Sequence, residues 1–229
     1  DKTRKRSSDW APEPKRGVND KMILSHELTH ALQDRVIDIA RESEIALENI
    51  DCEYAIRAVL EGMASSVMIA YAQNLPYDKL PNLQKFWRTQ LSQLPGGTLG
   101  GFPRYVSEYL MSPYAEGGAF IQAWQSRNPD NTLNDLLKQI PEQSEQVLHF
   151  QKYVEGDKPT DIELSRVHRI LPRDWRLSYV NTLGEFELLA LFQAHEETKE
   201  RANVFAAGWD GCRFEAYEDG NGALMLFGS

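Results

Sequence analysis

Met22-Ile23-Leu24-Ser25-His26-Glu27-Leu28-Thr29-His30-Ala31-Leu32-Gln33 is the stretch on which the reading of this chain turns. It contains His-Glu-x-x-His. At about 100° per residue, His26 and His30 lie about 40° apart on one helical face, one turn from each other. Glu27 projects about 100° from His26, with His30 between them in azimuth. Two imidazoles at this spacing can grip one ion, and the carboxylate sits beside a water on that ion. Zinc suits such a site, because it accepts nitrogen ligands and keeps a position open for water in catalytic centres. Glu27 is then the candidate general base. Asn19 or Asp20 can cap the helix, which the pattern carries to about Ala40. Apolar residues fall on most of its sides, among them Ile23, Leu24, Leu28 and Leu32, so the helix is expected to be buried. A buried helix does not carry two histidines and a glutamate without partners. A metal resolves that conflict.

Two histidines leave zinc in need of a third protein ligand. The extended pattern with Gly and a third His is absent, since positions 33 and 36 are Gln33 and Val36. Glu61, in Val59-Leu60-Glu61-Gly62-Met63-Ala64 on a second predicted helix, is the better candidate. Gly62 and Ala64 are small and permit close helix approach. The competing reading is a solvent-facing ladder, Glu53–Arg57–Glu61, at i, i+4 spacing. Glu53 is the reserve ligand, and His149, His168 and His195 are more distant alternatives. Asp34, one turn after His30, can accept from a ligand imidazole or can be a surface acid at the helix end, and Gln33 has the same two readings.

Around this centre the 229 residues suit one domain over 18–229, preceded by a polar, basic arm over 1–17. Apolar residues make up 41% and charged residues 26%, a globular composition that needs no disulfide framework. The net charge of −9 argues against a nucleic-acid or anionic-membrane binder. The run Met63 to Ala72 is too short to cross a bilayer, so no transmembrane segment is expected. Cys52 and Cys212 fit no zinc pattern and can be paired or free.

The pattern predicts a second helix from about Ser43 to Leu75 and an amphipathic one from Asn82 to Leu94. A flexible break follows at Pro95-Gly96-Gly97 and Gly100-Gly101. Further helices are expected over 103–111, 119–126, 132–139, 142–149 and 196–207. Ile162 to Ile170 fits a strand or a helix. Asn181-Thr182 with Glu185 resembles a capping box opening a helix to about Gln193. Cys212 to Tyr217, the turn Asp219-Gly220-Asn221-Gly222 and Ala223 to Phe227 read as a β-hairpin. Trp87, Trp124, Trp175 and Trp209 read as core. The fold class is therefore α+β, mainly α, with a helical core around the two ligand helices and a small C-terminal hairpin.

His-Glu-Leu-Thr-His-Ala-Leu-Gln-Asp-Arg, followed by a helix bearing Leu60-Glu61-Gly62-x-Ala64, resembles gluzincin-type zinc metallopeptidases. More specifically it resembles a set of bacterial proteins of this kind, often secreted or lipid-anchored. Pro113-Tyr114-Ala115-Glu116-Gly117-Gly118-Ala119-Phe120, Ser144-Glu145-Gln146-Val147-Leu148-His149 with Lys152-Tyr153, Thr182 to Phe186, and Gly208 to Gly211 are similar to further segments of that set. Phe150 stands where a proline is expected and Cys212 where an acid is common, and the polar arm replaces a strand ahead of the motif. The resemblance implies a zincin-like core, His26, His30 and Glu61 as zinc ligands, Glu27 as base, and a secreted or periplasmic location. A metallopeptidase also needs an oxyanion donor. His149, Tyr153 and Tyr114 lie in matching segments, with His149 preferred because its surroundings are otherwise polar. The expected activity is zinc-dependent hydrolysis of a peptide bond in a peptide or protein substrate. The alternatives are hydrolysis of another amide, an inactive zinc-stabilised binding or scaffold domain, and an accidental motif.

Overall fold

The computed structural model describes residues 18–40, 44, 49–94, 98–164, 167–195 and 199–228. The arm over 1–17, the break at Pro95-Gly96-Gly97, and the expected helix starts at Ser43 and Glu196 lie outside them, as does the side chain of His168. The chain is a mainly helical α+β protein with a small C-terminal antiparallel sheet. In order, α1 is Val18–Gln33, α2 Ile50–Gln73, α3 Leu83–Ser92 and α4 Arg104–Arg127. Short helices follow: α5 Leu133–Leu136, α6 Ser144–Leu148, α7 Phe150–Glu155 and α8 Val167–Ile170. Then come β1 Arg176–Asn181, α9 Glu185–His195, α10 Lys199–Ala206, β2 Phe214–Glu218 and β3 Leu224–Gly228.

The central element is α2. Asn49 caps it by accepting from the Cys52 amide at 3.1 Å, and Asp51 and Glu53 in its first turn oppose the helix dipole. It stops at Asn74, which takes the left-handed conformation with φ 49°. Its core face carries Tyr54, Ala58 and Val59, all at 0% exposure. These pack with Phe120, Ile121 and Phe186, and the Tyr54 and Phe186 rings stack at 4.0 Å between centroids. By length and composition α2 passes for a membrane span, with mean hydropathy 1.3 over its most apolar window. Of that window, 61% is buried inside the protein, as befits a core helix.

Helix α4 lies against α2 along much of its length. A Cβ added at Gly117 would overlap the carbonyl of Ala58, and one added at Gly62 would overlap the backbone of Gly117. The two backbones therefore touch, which only glycine permits. This crossing also explains a difference from the expected pattern. Helices over 103–111 and 119–126 are a single helix that runs through Pro113. The proline removes one helical hydrogen bond. Burial of Ser112 and Pro113, and the bond from the Tyr54 hydroxyl to Ser112 Oγ at 3.2 Å, hold the helix together across it.

Helix α1 ends at Gln33, not near Ala40, and it is not buried on most sides. His26, Thr29 and Gln33 face the interior at 8%, 8% and 2% exposure, whereas Ile23, Leu24, Leu28 and Leu32 are 50–63% exposed. The 3.6-residue period puts the polar positions on the α2 side and the apolar positions away from it. The C-terminal hairpin is present, with Asp219 Oδ1 accepting the Asn221 and Ala223 amides at 2.8 Å in its turn. It gains a third strand: β1 pairs antiparallel to β2, giving the order β1-β2-β3. Among its described residues, the segment 162–170 contributes the single turn α8. The expected capping box at 181–185 does not form. Asn181 instead ends β1 and accepts the Ile50 amide at 2.7 Å, and Glu185 pairs with His149. Trp124 and Trp209 are buried, while Trp87 and Trp175 are half-buried.

Acids from α2 and α9 meet behind the core. Asp51 accepts the Ser144 amide at 2.7 Å, and Glu187, at 0% exposure, accepts the Gly184 amide at 2.9 Å. Burial, with the Glu145 and Glu185 charges added, pushes Asp51 up to about 6, and burial with the Asp51 charge added pushes Glu187 up to about 7. Both values exceed the ordinary 3.8 and 4.5. Their stabilising contribution is therefore complete below about pH 4 and is lost as pH rises through about 6 to 7. Urea midpoints should fall over that range, and Glu187→Gln should flatten the profile. A parent midpoint that rises with pH across the window would contradict this. Gly117→Ala should lower stability by about 1–3 kcal/mol through overpacking at the α2–α4 contact, read as a reduced urea midpoint at unchanged slope.

Candidate metal centre

His26 and His30 project from α1 toward α2, where Glu61 meets them. The two Nε2 atoms are 3.1 Å apart. Glu61 Oε2 is 3.1 Å from His26 Nε2 and 3.6 Å from His30 Nε2. A tetrahedral ion with bonds of about 2.0–2.1 Å needs ligand–ligand edges of about 3.3 Å. These three separations bracket that value, and the three residues form a possible metal-binding group. The reserve ligand Glu53 is engaged elsewhere, since the Tyr109 hydroxyl donates to its Oε2 at 2.7 Å. Only half of the competing ladder is present: Glu53 Oε1 lies 3.4 Å from Arg57 Nε, while Glu61 turns to the histidines.

The electrostatics match a charged carboxylate between imidazoles. Burial opposes the charge on Glu61, but the adjacent His26 and His30 imidazoles outweigh it and hold the carboxyl down at about 2. The interaction with Glu61 raises His30 against the opposing effect of burial. Glu61 Oε2 is buried, and no hydrogen-bond donor within bonding geometry satisfies it. A cation bound by the three side chains would supply what it lacks.

His30 is oriented from behind. Its Nδ1 lies 2.8 Å from Gln33 Oε1, and Gln33 Nε2 donates to the Leu60 carbonyl at 3.0 Å. The second bond fixes the carboxamide so that its oxygen faces the ring. Nδ1 then carries the proton, and the Nε2 lone pair points at Glu61 and His26. Of the two candidates for this role, Gln33 occupies it. Asp34 is exposed and accepts the Ile39 amide at 3.2 Å.

Glu27 is exposed on the solvent side of the centre, and its charge is felt at both His30 and Tyr114. Tyr114, from α4, stacks on the His26 ring at 5.9 Å between centroids and packs against Trp87 at 5.2 Å. Burial and the neighbouring Glu61 carboxylate push its hydroxyl well above the ordinary range.

The other two donor candidates lie elsewhere. His149 Nε2 is 2.8 Å from Glu185 Oε1 in a separate cavity of about 500 Å³, which none of the three ligands lines. Tyr153 donates to the Gln139 carbonyl at 2.9 Å. The structure does not bring the preferred His149 to the triad, and its polar surroundings reflect the pairing with buried Glu185. His195 is exposed on α9. A cavity of about 310 Å³ opens beside the centre, lined by His30 and Glu61, walled by Ile39, Ile56 and Leu60, and bearing Glu53 and Arg57.

No protein-family model, curated protein or solved structure matches the chain. The site is read from its own geometry. If Gln33 orients His30, Gln33→Leu should weaken zinc affinity by about 10–100-fold. A competition titration against a chelator measures this, and unchanged affinity would remove Gln33 from the centre.

Proposed function

We propose that this protein is a zinc-dependent metallopeptidase. The observation that carries the reading is the convergence of His26 Nε2, His30 Nε2 and Glu61 Oε2 within 3.1–3.6 Å, with Glu27 on the open side. Three protein ligands from two helices are what a catalytic zinc site uses, the fourth position being left to solvent or substrate. Zinc held there supplies Lewis acidity, lowering the pKa of a water to about 7 and polarising a carbonyl.

The remaining work falls to the chain. Glu27 accepts the proton of the attacking water on its carboxylate and passes it to the leaving amine. Tyr114 donates its hydroxyl hydrogen to the oxygen that becomes negative as the carbonyl turns tetrahedral. Its position against His26 favours it over His149 for this task. Gln33 keeps His30 in the ligating tautomer. The substrate is a peptide or protein chain.

Elemental mass spectrometry of the purified chain should find close to one zinc per molecule. His26→Ala, His30→Ala and Glu61→Ala should each lose it. Glu27→Gln should keep the zinc and lower kcat on a peptide library by about 100-fold or more. Tyr114→Phe should keep the zinc and lower kcat by about 100-fold, with little change in KM. Full zinc binding with no hydrolysis in the parent, and no difference between parent and Glu27→Gln, would make this a zinc-stabilised binding domain. Failure to bind zinc when it is supplied would sink the reading.

A further inference from the structure

We propose that Arg57 captures a carboxylate of the substrate, so that the cavity beside the triad selects chains with a negative group one to two residues beyond the scissile bond. The inference rests on the metallopeptidase reading of the triad. Arg57 stands one turn before Glu61 on α2, and both line the cavity that His30 also lines. Four residues of helix advance about 6 Å. One to two residues of extended chain cover the same distance. A carbonyl at the triad therefore places a carboxylate at that remove beside the guanidinium.

The guanidinium is held but not satisfied. It lies 4.0 Å above the Tyr109 ring, which fixes its plane. Glu53 Oε1 is near its Nε at 3.4 Å but makes no hydrogen bond to it, and Glu53 Oε2 is taken by the Tyr109 hydroxyl. Arg57 Nε and Nη2 are buried without an acceptor. Its side chain keeps 23% of its surface open. Buried donors without acceptors are costly, and an arginine fork matches a carboxylate in a bidentate manner.

The charges agree. With a divalent ion on the triad, the two lining carboxylates and one guanidinium leave the cavity with one positive charge in excess. The charge of Arg57 is also felt at Tyr114. The apolar walls Ile39, Ile56 and Leu60 would enclose the stem of the residue that bears the carboxylate. That group is either the C-terminal carboxylate of a peptide or an acidic side chain. The same fork serves both.

The test uses the zinc-loaded full chain and an N-acetylated peptide library prepared as free acids and as carboxamides. A third set of carboxamides carries Glu or Gln at the last position. Cleavage is followed by mass spectrometry. Binding is followed by calorimetry with N-acetyl amino acids, as acids and as amides, which need not be cleaved. The expected result is a KM about tenfold or more lower for free acids, with removal of a single terminal residue. Arg57→Gln should erase that preference at unchanged zinc content, and Arg57→Lys should retain part of it. A preference for the Glu carboxamides over the Gln carboxamides, equal to that for the free acids, would assign the carboxylate to a side chain. Equal use of acids and amides by the parent overturns the proposal without recourse to any variant. If no peptide is cleaved yet the acids bind through Arg57, the peptidase reading fails and the carboxylate site stands. If zinc-loaded protein neither cleaves nor binds the acids, the carboxylate site is overturned.

Discussion

The contact between the two imidazoles of α1 and the Glu61 carboxylate of α2 is the constraint on which the rest of the molecule depends. The α1 face that meets α2 is polar, carrying His26, Thr29 and Gln33, while its apolar residues Leu24, Leu28 and Leu32 lie outside. Area burial, the usual force between helices, therefore contributes little here. What joins α1 to the core is electrostatic and directional: the histidine–carboxylate contacts and the anchor from Gln33 to the Leu60 carbonyl. A metal ion that bound the folded chain and not the unfolded one would stabilise this contact before any other.

Helix α2 can serve as the rigid side of that contact because α4 is pressed onto it. The glycine-mediated backbone approach at Gly62 and Gly117 fixes the height and rotation of α2 against α4. The same rotation sends Tyr54, Ala58 and Val59 into the core while Glu53, Arg57 and Glu61 face the cavity. Tyr109 and Tyr114 come from α4, five residues apart; Tyr109 bonds Glu53 of α2, and Tyr114 stacks on His26 of α1 within the influence of Glu61. One helix pair thus supplies the candidate third ligand, the hydroxyl beside it and the arginine one turn away.

How much of this was legible follows from which interactions are local. His26, His30 and Glu27 were readable because their relation is a property of one helix. Glu61 needed a further argument from coordination, since its alternative, the ladder with Arg57 and Glu53, is equally periodic. That ladder is half real, which is why periodicity could not decide it. Gln33 and Asp34 were indistinguishable, as neighbours one turn from His30. The carbonyl of Leu60, 27 positions away, orients Gln33 and settles the choice. Tyr114 is joined to the centre only by the α2–α4 crossing, so nothing within its own segment favoured it over His149. The hairpin was visible in its turn residues, whereas β1 depends on pairing with β2 about 40 positions later. The expected burial of α1 fails because apolar content does not dictate which face makes contact, and the helix turns its polar face inward.

Two glutamates, Glu61 half-buried and Glu187 buried, show how environment divides labour among identical side chains. Glu61, between imidazoles, is held charged down to about 2. Glu187, sealed at 0% exposure near Asp51 and with one oxygen lacking a donor, is pushed up to about 7. A carboxylate that is charged throughout the neutral range can act as a ligand to a cation, and one that holds its proton there competes poorly for it. Glu53 is set apart by a third device: the Tyr109 hydroxyl occupies one oxygen, and Arg57 stands beside the other. Of the acids on or against α2, Glu61 therefore combines charge, convergence on two nitrogen donors and the absence of a competing hydrogen-bond partner. The case for Glu61 as the third member of a possible metal-binding group follows from these surroundings, with no need to appeal to its place in a motif.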